Sequence, residues 1–274
     1  MTELNKLIEE ALMEYASSVA NPELKEAINY ALFSGGKRLR PLLLLSVLAD
    51  MDADVRVGRY PAAAIEMIHT YSLIHDDLPA MDDDDFRRGV PSLHKKYGEA
   101  LAILAADALL TDSFEMFART PADPETALAL IRLASRYCGG NGMVAGQVLD
   151  ILSVDKKITL SDIETIYERK TTDLFSLAVL SAAEIAGVSD ETRGVLEDFS
   201  RYFGLAFQIK DDLDDIYIQI DGKSDLESNK ATYPIIVGIE PAKEIFSEYK
   251  EKALGIVKKT LGEKLTHQIV LRNL

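Results

Sequence analysis

Apolar positions recur at helical spacing almost throughout the chain. Leu4, Leu7, Ile8, Leu12 and Tyr15 put one stripe on a helix over residues 3–20. Asn21-Pro22-Glu23 restarts a helix with an N-cap, a proline at the first helical position and an acid in the first turn. That helix reaches Phe33 and stops at Ser34-Gly35-Gly36. After Pro41 an apolar run extends from Leu42 to Leu48, and Pro61 opens a helix through Ala64, Ile68 and Tyr71. Residues 98–118 form another helix, and Asp123-Pro124-Glu125 starts one that ends at Cys138. Residues 143–152 follow a glycine-rich break. Thr159 and Asp162 make a capping box with aspartate in the usual glutamate place. It opens a long helix through Lys170-Thr171 to Ala186, closed by Gly187. The next helix starts near Ser189, Asp221-Gly222-Lys223-Ser224-Asp225 reads as a turn, and residues 241–259 and 262–272 read as terminal helices. No run alternates with period two between hairpin turns. The pattern predicts an all-α chain, a large helical bundle of about ten or more helices, in a single domain over residues 1–274. Its apolar faces leave room for a subunit interface, most simply a two-fold dimer.

Two apolar runs end in carboxylates. Residues 76–85 hold six acids in ten positions (Asp76, Asp77 and Asp82 to Asp85), and Arg87-Arg88 follow at once. Asp211, Asp212, Asp214 and Asp215 form the second cluster. Carboxylates about 4 Å apart repel by roughly 4 kcal/mol at an effective dielectric near 20. Either water or a divalent cation must relieve that repulsion, so a solvated acidic turn competes with a metal site. Two such clusters favour a shared multi-metal site. His69 and Asp76 are two helical turns apart and share a face. Pro79 distorts the helix and lets a local bulge return Asp82 to Asp76. Gly204, Gln208, Asp211 and Asp215 line one face of their helix.

Net charge is −15 over 274 residues, which disfavours nucleic acid and anionic membrane surfaces as partners. Small anions stay compatible where metals and local arginines invert the field. No stretch approaches the apolar length of a membrane span. The start lacks a signal pattern, and the single cysteine, Cys138, suits a reducing cytoplasm. Lys37-Arg38-Leu39-Arg40-Pro41 after Gly35-Gly36 reads as a phosphate clamp or as a solvated basic loop. Asp150 reads as a buried polar link or as part of the site. Magnesium takes one or two carboxylates per ion and fills its shell with water and phosphate oxygens. Facing aspartate helices can thus grip a diphosphate through metal and ease its departure. Neither a Ser/His/acid or Cys/His nucleophile pattern nor zinc-ligand spacing is present.

Five marks in order resemble the trans-isoprenyl diphosphate synthases, closest to the bacterial farnesyl diphosphate synthase group. They are Gly35-Gly36-Lys37-Arg38-Leu39-Arg40-Pro41; Asp76, Asp77 and Asp82 with Arg87-Arg88; Gly142-Met143 with Gly146-Gln147 and Asp150; Lys170-Thr171; and Asp211, Asp212 and Asp215. The resemblance spans essentially the whole chain. It implies an all-α, cytoplasmic homodimer without stable membrane association. The implied reaction is head-to-tail condensation of isopentenyl diphosphate with dimethylallyl or geranyl diphosphate, mainly to farnesyl diphosphate. It implies that Lys37, Arg40, His69 and Arg88 bind the isopentenyl diphosphate. Asp76, Asp82 and Asp211 are then the ligands of two to three magnesium ions, with manganese as a substitute. Asp77, Asp212 and Asp215 support them directly or through water. Arg87, Lys170 and Lys223 contact the allylic diphosphate, Lys230 competing with Lys223, while Thr171 and Gln208 steady the allylic cation. Thr172 and Asp214 depart from the family's usual residues.

The tail of the product is expected to run down the helix before Asp76, past Ser72 and Tyr71, about one helical turn per isoprene unit. A bulky Tyr71 resembles enzymes that stop at fifteen carbons, with geranylgeranyl diphosphate as the runner-up product. A class I terpene cyclase and a non-catalytic prenyl-diphosphate-binding subunit are the competing readings. The second acidic cluster and the second diphosphate set favour condensation.

Overall fold

The computed structural model describes residues 2–217 and 232–274. Helices dominate it. The amino-terminal half holds α1 (Thr2–Ser18), α2 (Pro22–Phe33), α3 (Leu39–Asp50), α4 (Arg59–Asp76), α5 (Leu93–Tyr97), α6 (Glu99–Ala118) and α7 (Pro124–Cys138). The rest holds α8 (Met143–Ser153), α9 (Leu160–Tyr167), α10 (Asp173–Ala186), α11 (Asp190–Tyr217), α12 (Tyr233–Val237), α13 (Ile239–Thr260) and α14 (Leu265–Asn273). Lys223 and Lys230, with the turn read at residues 221–225, lie outside the described residues.

Local chemistry sets several of the starts. The Asn21 side chain accepts from the Leu24 N–H and the Asp123 side chain from the Thr126 N–H, each ahead of a proline in the first turn. Thr159 and Asp162 cap each other reciprocally. Gly187 ends α10 in the left-handed region at φ 63°. Asp50 caps across the fold, accepting from the backbone N–H groups of Leu265 at 3.1 Å and Thr266 at 2.7 Å. It thereby ties the start of α14 to the end of α3.

The core forms around α3, α4 and α10. From Leu42 to Leu48 every residue of α3 is buried, as is every residue of α10 from Asp173 to Ala183. A helix apolar on all sides belongs inside, and each fully buried leucine contributes about 1.5–3 kcal/mol. α3 packs on α10, α4 on α6, and α11 on α13. A second apolar cluster joins Ile163, Ile166 and Tyr167 of α9 to Leu205, Ile209 and Leu213 of α11 and Tyr233 of α12.

Three details differ from the sequence reading. α4 begins at Arg59, so Pro61 sits within its first turn rather than opening it. The long helix from Thr159 to Ala186 is interrupted by a π-helical turn, Glu168–Thr172. The chain also carries a short antiparallel ladder, β1 (Phe86–Arg87) with β2 (Val90–Pro91). Arg88 at φ 54° and Gly89 at φ 78° supply the two positive-φ positions of the tight hairpin turn between them.

Candidate active site

A cavity of about 420 Å³ opens between the carboxyl-terminal half of α4, the face of α8 and the π turn. His69, Tyr71, Ser72, His75 and Asp76 line it from α4, Gln147 and Val148 from α8, and Lys170 and Thr171 from the π turn. The first acidic cluster stands at its rim. α4 stops at Asp76, and the chain turns back so that the Asp82 N–H donates to the Asp76 carbonyl at 2.9 Å. The reunion of Asp76 and Asp82 thus comes from a turn after the helix, not from the bulge within it that Pro79 suggested.

The paired acids of each cluster part company. Asp77 is 3% exposed and faces a smaller recess behind the cavity. It accepts from Arg87 Nε at 2.8 Å and from Nη2, while Asp84 takes the same guanidinium at 2.9 Å. Burial raises the Asp77 carboxyl, against the pull of Arg87. Asp212, also 3% exposed, accepts from the Tyr167 hydroxyl, from the Tyr233 N–H at 3.3 Å and from Gln208 Nε2 at 3.2 Å. Asp77 and Asp212, read from the sequence as supporting the metal ligands directly or through water, are turned inward and hold protein donors. The reason is helical geometry: the next residue on a helix points about 100° away from its neighbour.

Asp211 and Asp215 lie on the other face of α11. Asp211 is exposed, yet the surrounding protein still desolvates it. Burial pushes its carboxyl up to about 6, against the positive charge of Lys210, Arg40 and Lys37. Burial and Asp214 raise Asp215 as well. Lys210 is paired with Asp214, off that face. Asp83 and Asp85 pair with Lys95, at 3.8 and 2.7 Å.

Thr171 Oγ1 donates to Gln208 Oε1 at 2.8 Å, which fixes the Gln208 amide so that its nitrogen reaches Asp212. The π turn itself is gripped from two sides. A Cβ on Gly146 would lie 2.2 Å from the Lys170 backbone nitrogen, and one on Gly204 would lie 2.4 Å from Thr172 Oγ1. Only glycine lets α8 and α11 approach so closely. Lys170 Nζ reaches Asp150 Oδ2 at 2.6 Å.

The basic loop is folded as a pocket. Arg40 Nε is buried without a hydrogen-bond partner among the described residues. Its Nη1 is 3.4 Å from His69 Nε2, and its guanidinium carbon lies 4.4 Å from the centroid of the Phe175 ring. Burial lowers the Arg40 guanidinium to about 10, so it stays charged near neutral pH. Burial, then the charges of Arg40 and Arg88, hold His69 well below its usual range, leaving the ring neutral. Arg88 donates to the Gly35 carbonyl, and a Cβ on Gly36 would meet its guanidinium at 2.7 Å. Lys37 is exposed at the edge. A half-buried cation whose buried Nε lacks a partner suits an anion.

Among the described residues, no three His, Cys, Asp or Glu side chains are drawn together into a ready cation cage. The donor set nevertheless fits magnesium: carboxylate oxygens at the rim, one or two per ion, with water and phosphate oxygens to complete the shell.

The sequence reading counted Arg38 among the cations of the basic loop and missed Glu66, whereas Arg38 is 7% exposed and paired inside the protein. Arg38, in the left-handed region at φ 51°, donates to Glu66 at 2.8 Å, to Glu9 at 2.8 Å and to the Leu32 carbonyl. It also missed the hairpin that carries Arg87 and Arg88, for which the Arg88-Gly89 pair was the available signal.

The fold and this site define a helical enzyme of prenyl diphosphate chemistry, and the chain belongs to the polyprenyl synthetase family, whose model matches residues 21–266. A farnesyl diphosphate synthase of Micrococcus luteus is 45% identical over 250 residues, covering 89% of this chain and 85% of that protein. One of Geobacillus stearothermophilus is 44% identical over 262 residues, covering 92% and 88%. A Helicobacter pylori geranyltransferase, solved with magnesium and isoprenyl diphosphate, superposes with a TM-score of 0.85 at 30% identity, covering 99% of this chain and 95% of that one.

Proposed function

We infer that the chain is a prenyltransferase that condenses isopentenyl diphosphate head-to-tail with dimethylallyl and geranyl diphosphates, releasing diphosphate and forming farnesyl diphosphate. The observation that carries the reading is the placement of Asp76, Lys170 and an anion-seeking Arg40 in one largely apolar cavity, with Asp211 of the second acidic cluster near enough for Arg40 and Lys37 to act on its charge. One synthase domain over residues 1–274 fits the match at 21–266.

Asp76, Asp82 and Asp211, with Asp215 beside them, hold the cations. Magnesium bound there neutralises the allylic diphosphate and stabilises it as a leaving group. Asp77 and Asp212 serve by aiming Arg87 and Gln208. Arg87 and Lys170 meet the allylic diphosphate. Lys37, Arg40, neutral His69 and Arg88 receive the isopentenyl diphosphate, Arg40 through its unpaired Nε. The allylic C–O bond breaks with its electron pair leaving on the diphosphate. Thr171 Oγ1, already donating its proton to Gln208, turns its lone pairs toward the allylic cation. The isopentenyl double bond forms the new C–C bond, and a proton passes to the departing diphosphate. Tyr71, 5% exposed and edge-on to His75 at 5.8 Å, blocks the apolar end of the cavity and stops growth at fifteen carbons.

Large apolar side chains stand exposed on three helices: Ile103 and Leu104 of α6, Leu128 of α7, and Leu149 and Leu152 of α8, beside Val144, Val148 and Ile151, which line the cavity. Exposed apolar side chains of this kind are accounted for by a partner, and a second copy of the chain is the simplest one. No helix of the described residues is long and apolar enough to cross a membrane.

Incubation with labelled isopentenyl diphosphate and geranyl diphosphate in magnesium tests the reading. Farnesyl product and released diphosphate are expected. A cyclic hydrocarbon from the allylic substrate alone would make the chain a cyclase, and absence of turnover would make it a binding subunit.

A further inference from the structure

The ion pair between Lys170 and Asp150 joins two elements twenty residues apart. The Nζ–Oδ2 distance is 2.6 Å, and the side chains are 26% and 15% exposed. One face of α8 makes it possible. Gly146 removes the Cβ that would collide with the Lys170 backbone nitrogen. Asp150, one helical turn further on, shares that face and meets the lysine ammonium. The close approach and the carboxylate therefore act as one device. The glycine brings the lysine backbone against α8, and the aspartate catches the end of its side chain. The π turn at Glu168–Thr172 presents the lysine at this contact and Thr171 to the cavity in consecutive residues.

A lysine stem carries about 2 kcal/mol of rotamer freedom. Unanchored, Lys170 would sample many positions at a rim crowded with carboxylates. We propose that Asp150 is a positioning residue, which holds the Lys170 ammonium where the allylic diphosphate arrives and keeps it from collapsing onto the acidic clusters. Asp150 does not line the cavity, whereas Lys170 does. The proposal rests on the reading of Lys170 as an allylic diphosphate contact. It predicts a selective defect: allylic binding suffers, while isopentenyl binding, served by the Arg40 pocket on α3 and α4, does not.

The test is steady-state kinetics of Asp150→Asn, Asp150→Glu, Lys170→Ala and the Asp150→Asn/Lys170→Ala pair in the full chain, with KM measured separately for geranyl and isopentenyl diphosphate. Misplacing a binding group by about 1 Å costs roughly ten- to a hundredfold. Asp150→Asn should raise the allylic KM about tenfold and leave the isopentenyl KM and the melting temperature nearly unchanged. Asp150→Glu should recover part of the loss, since it keeps the charge on a longer arm. In the Lys170→Ala background, Asp150→Asn should add nothing. Equal rises in both KM values, or a full additional loss in the Lys170→Ala background, would make Asp150 a general tie between α8 and the π turn. That result, or a silent Asp150→Asn in an active wild type, overturns the proposal. A wild type that condenses nothing overturns the functional reading beneath it instead.

Discussion

Arg38 Nη1 donates to Glu66 Oε1 at 2.8 Å, with the two side chains only 7% and 2% exposed. This buried pair shapes the anion pocket without lining it. It pins a non-glycine residue in the left-handed region at the start of α3, directly between the Gly35-Gly36 turn and Arg40. Such a conformation persists only where surrounding contacts over-determine it, and bonds to Glu9, Glu66 and Leu32 do so here. Removing one partner of a buried pair costs roughly 3–5 kcal/mol, because the other charge is left uncompensated. Glu66→Ala should lower the urea midpoint accordingly and raise the isopentenyl KM. A variant with wild-type stability would show that the pair is dispensable.

Gly36 tests the other side of the same pocket. At φ 120° it occupies a region that L side chains rarely adopt, and its missing Cβ makes room for the Arg88 guanidinium. Gly36→Ala should displace Arg88 and raise the isopentenyl KM by roughly tenfold or more. Gly35→Ala, strained at φ 108° but with open space at its Cβ, should affect that KM less. Equal effects would mean that backbone strain alone, rather than the Arg88 contact, controls the pocket.

Asp173 gives the chain a pH signature away from the metal sites. Burial pushes its carboxyl up to about 7 from an ordinary 3.8, while Arg169 at 3.4 Å and Arg136 pull it down and Glu168 pushes it up. Between those values the native chain holds a proton that the unfolded chain has lost. The resulting stability is full below about pH 4 and disappears as the pH rises through about 7. Asp173→Asn cannot ionise. Its melting temperature should match wild type near pH 4.5 and exceed it near pH 8, with a ceiling of roughly 4 kcal/mol that solvent screening reduces. Parallel melting curves across that window would contradict the shift.

Tyr71 should control product length. Tyr71→Ala opens the cavity past Ser72, whose hydroxyl is already turned back onto the His69 carbonyl at 3.0 Å. Chromatography of the dephosphorylated products should show a shift from fifteen carbons toward twenty. An unchanged length would place the stop elsewhere along the cavity.

Much of this was legible in the residues, for reasons that stay local. Caps at Asn21, Asp123 and Thr159 act within three residues of themselves, so the starts of α2, α7 and α9 could be read directly. The acidic clusters stood out as carboxylates closing apolar runs. What could not be read was decided by distant partners. Helical spacing turns Asp212 away from Asp211, but its partners Tyr167 and Tyr233, 45 and 21 residues away, could not be read locally. The π turn carries no local mark, and the close approach of Gly146 and Gly204 to it comes from two other helices. Arg38 resembles any other cation of the basic loop until Glu66 is placed beneath it.

The central claim is that the two acidic clusters act jointly on one diphosphate. The measurement that tests it is magnesium-dependent incorporation of labelled isopentenyl diphosphate by Asp76→Ala and Asp211→Ala beside the wild type, with helicity followed by circular dichroism. Each substitution, on a different helix, should abolish turnover while leaving the helical signal intact. Substantial turnover in either folded variant would contradict the account.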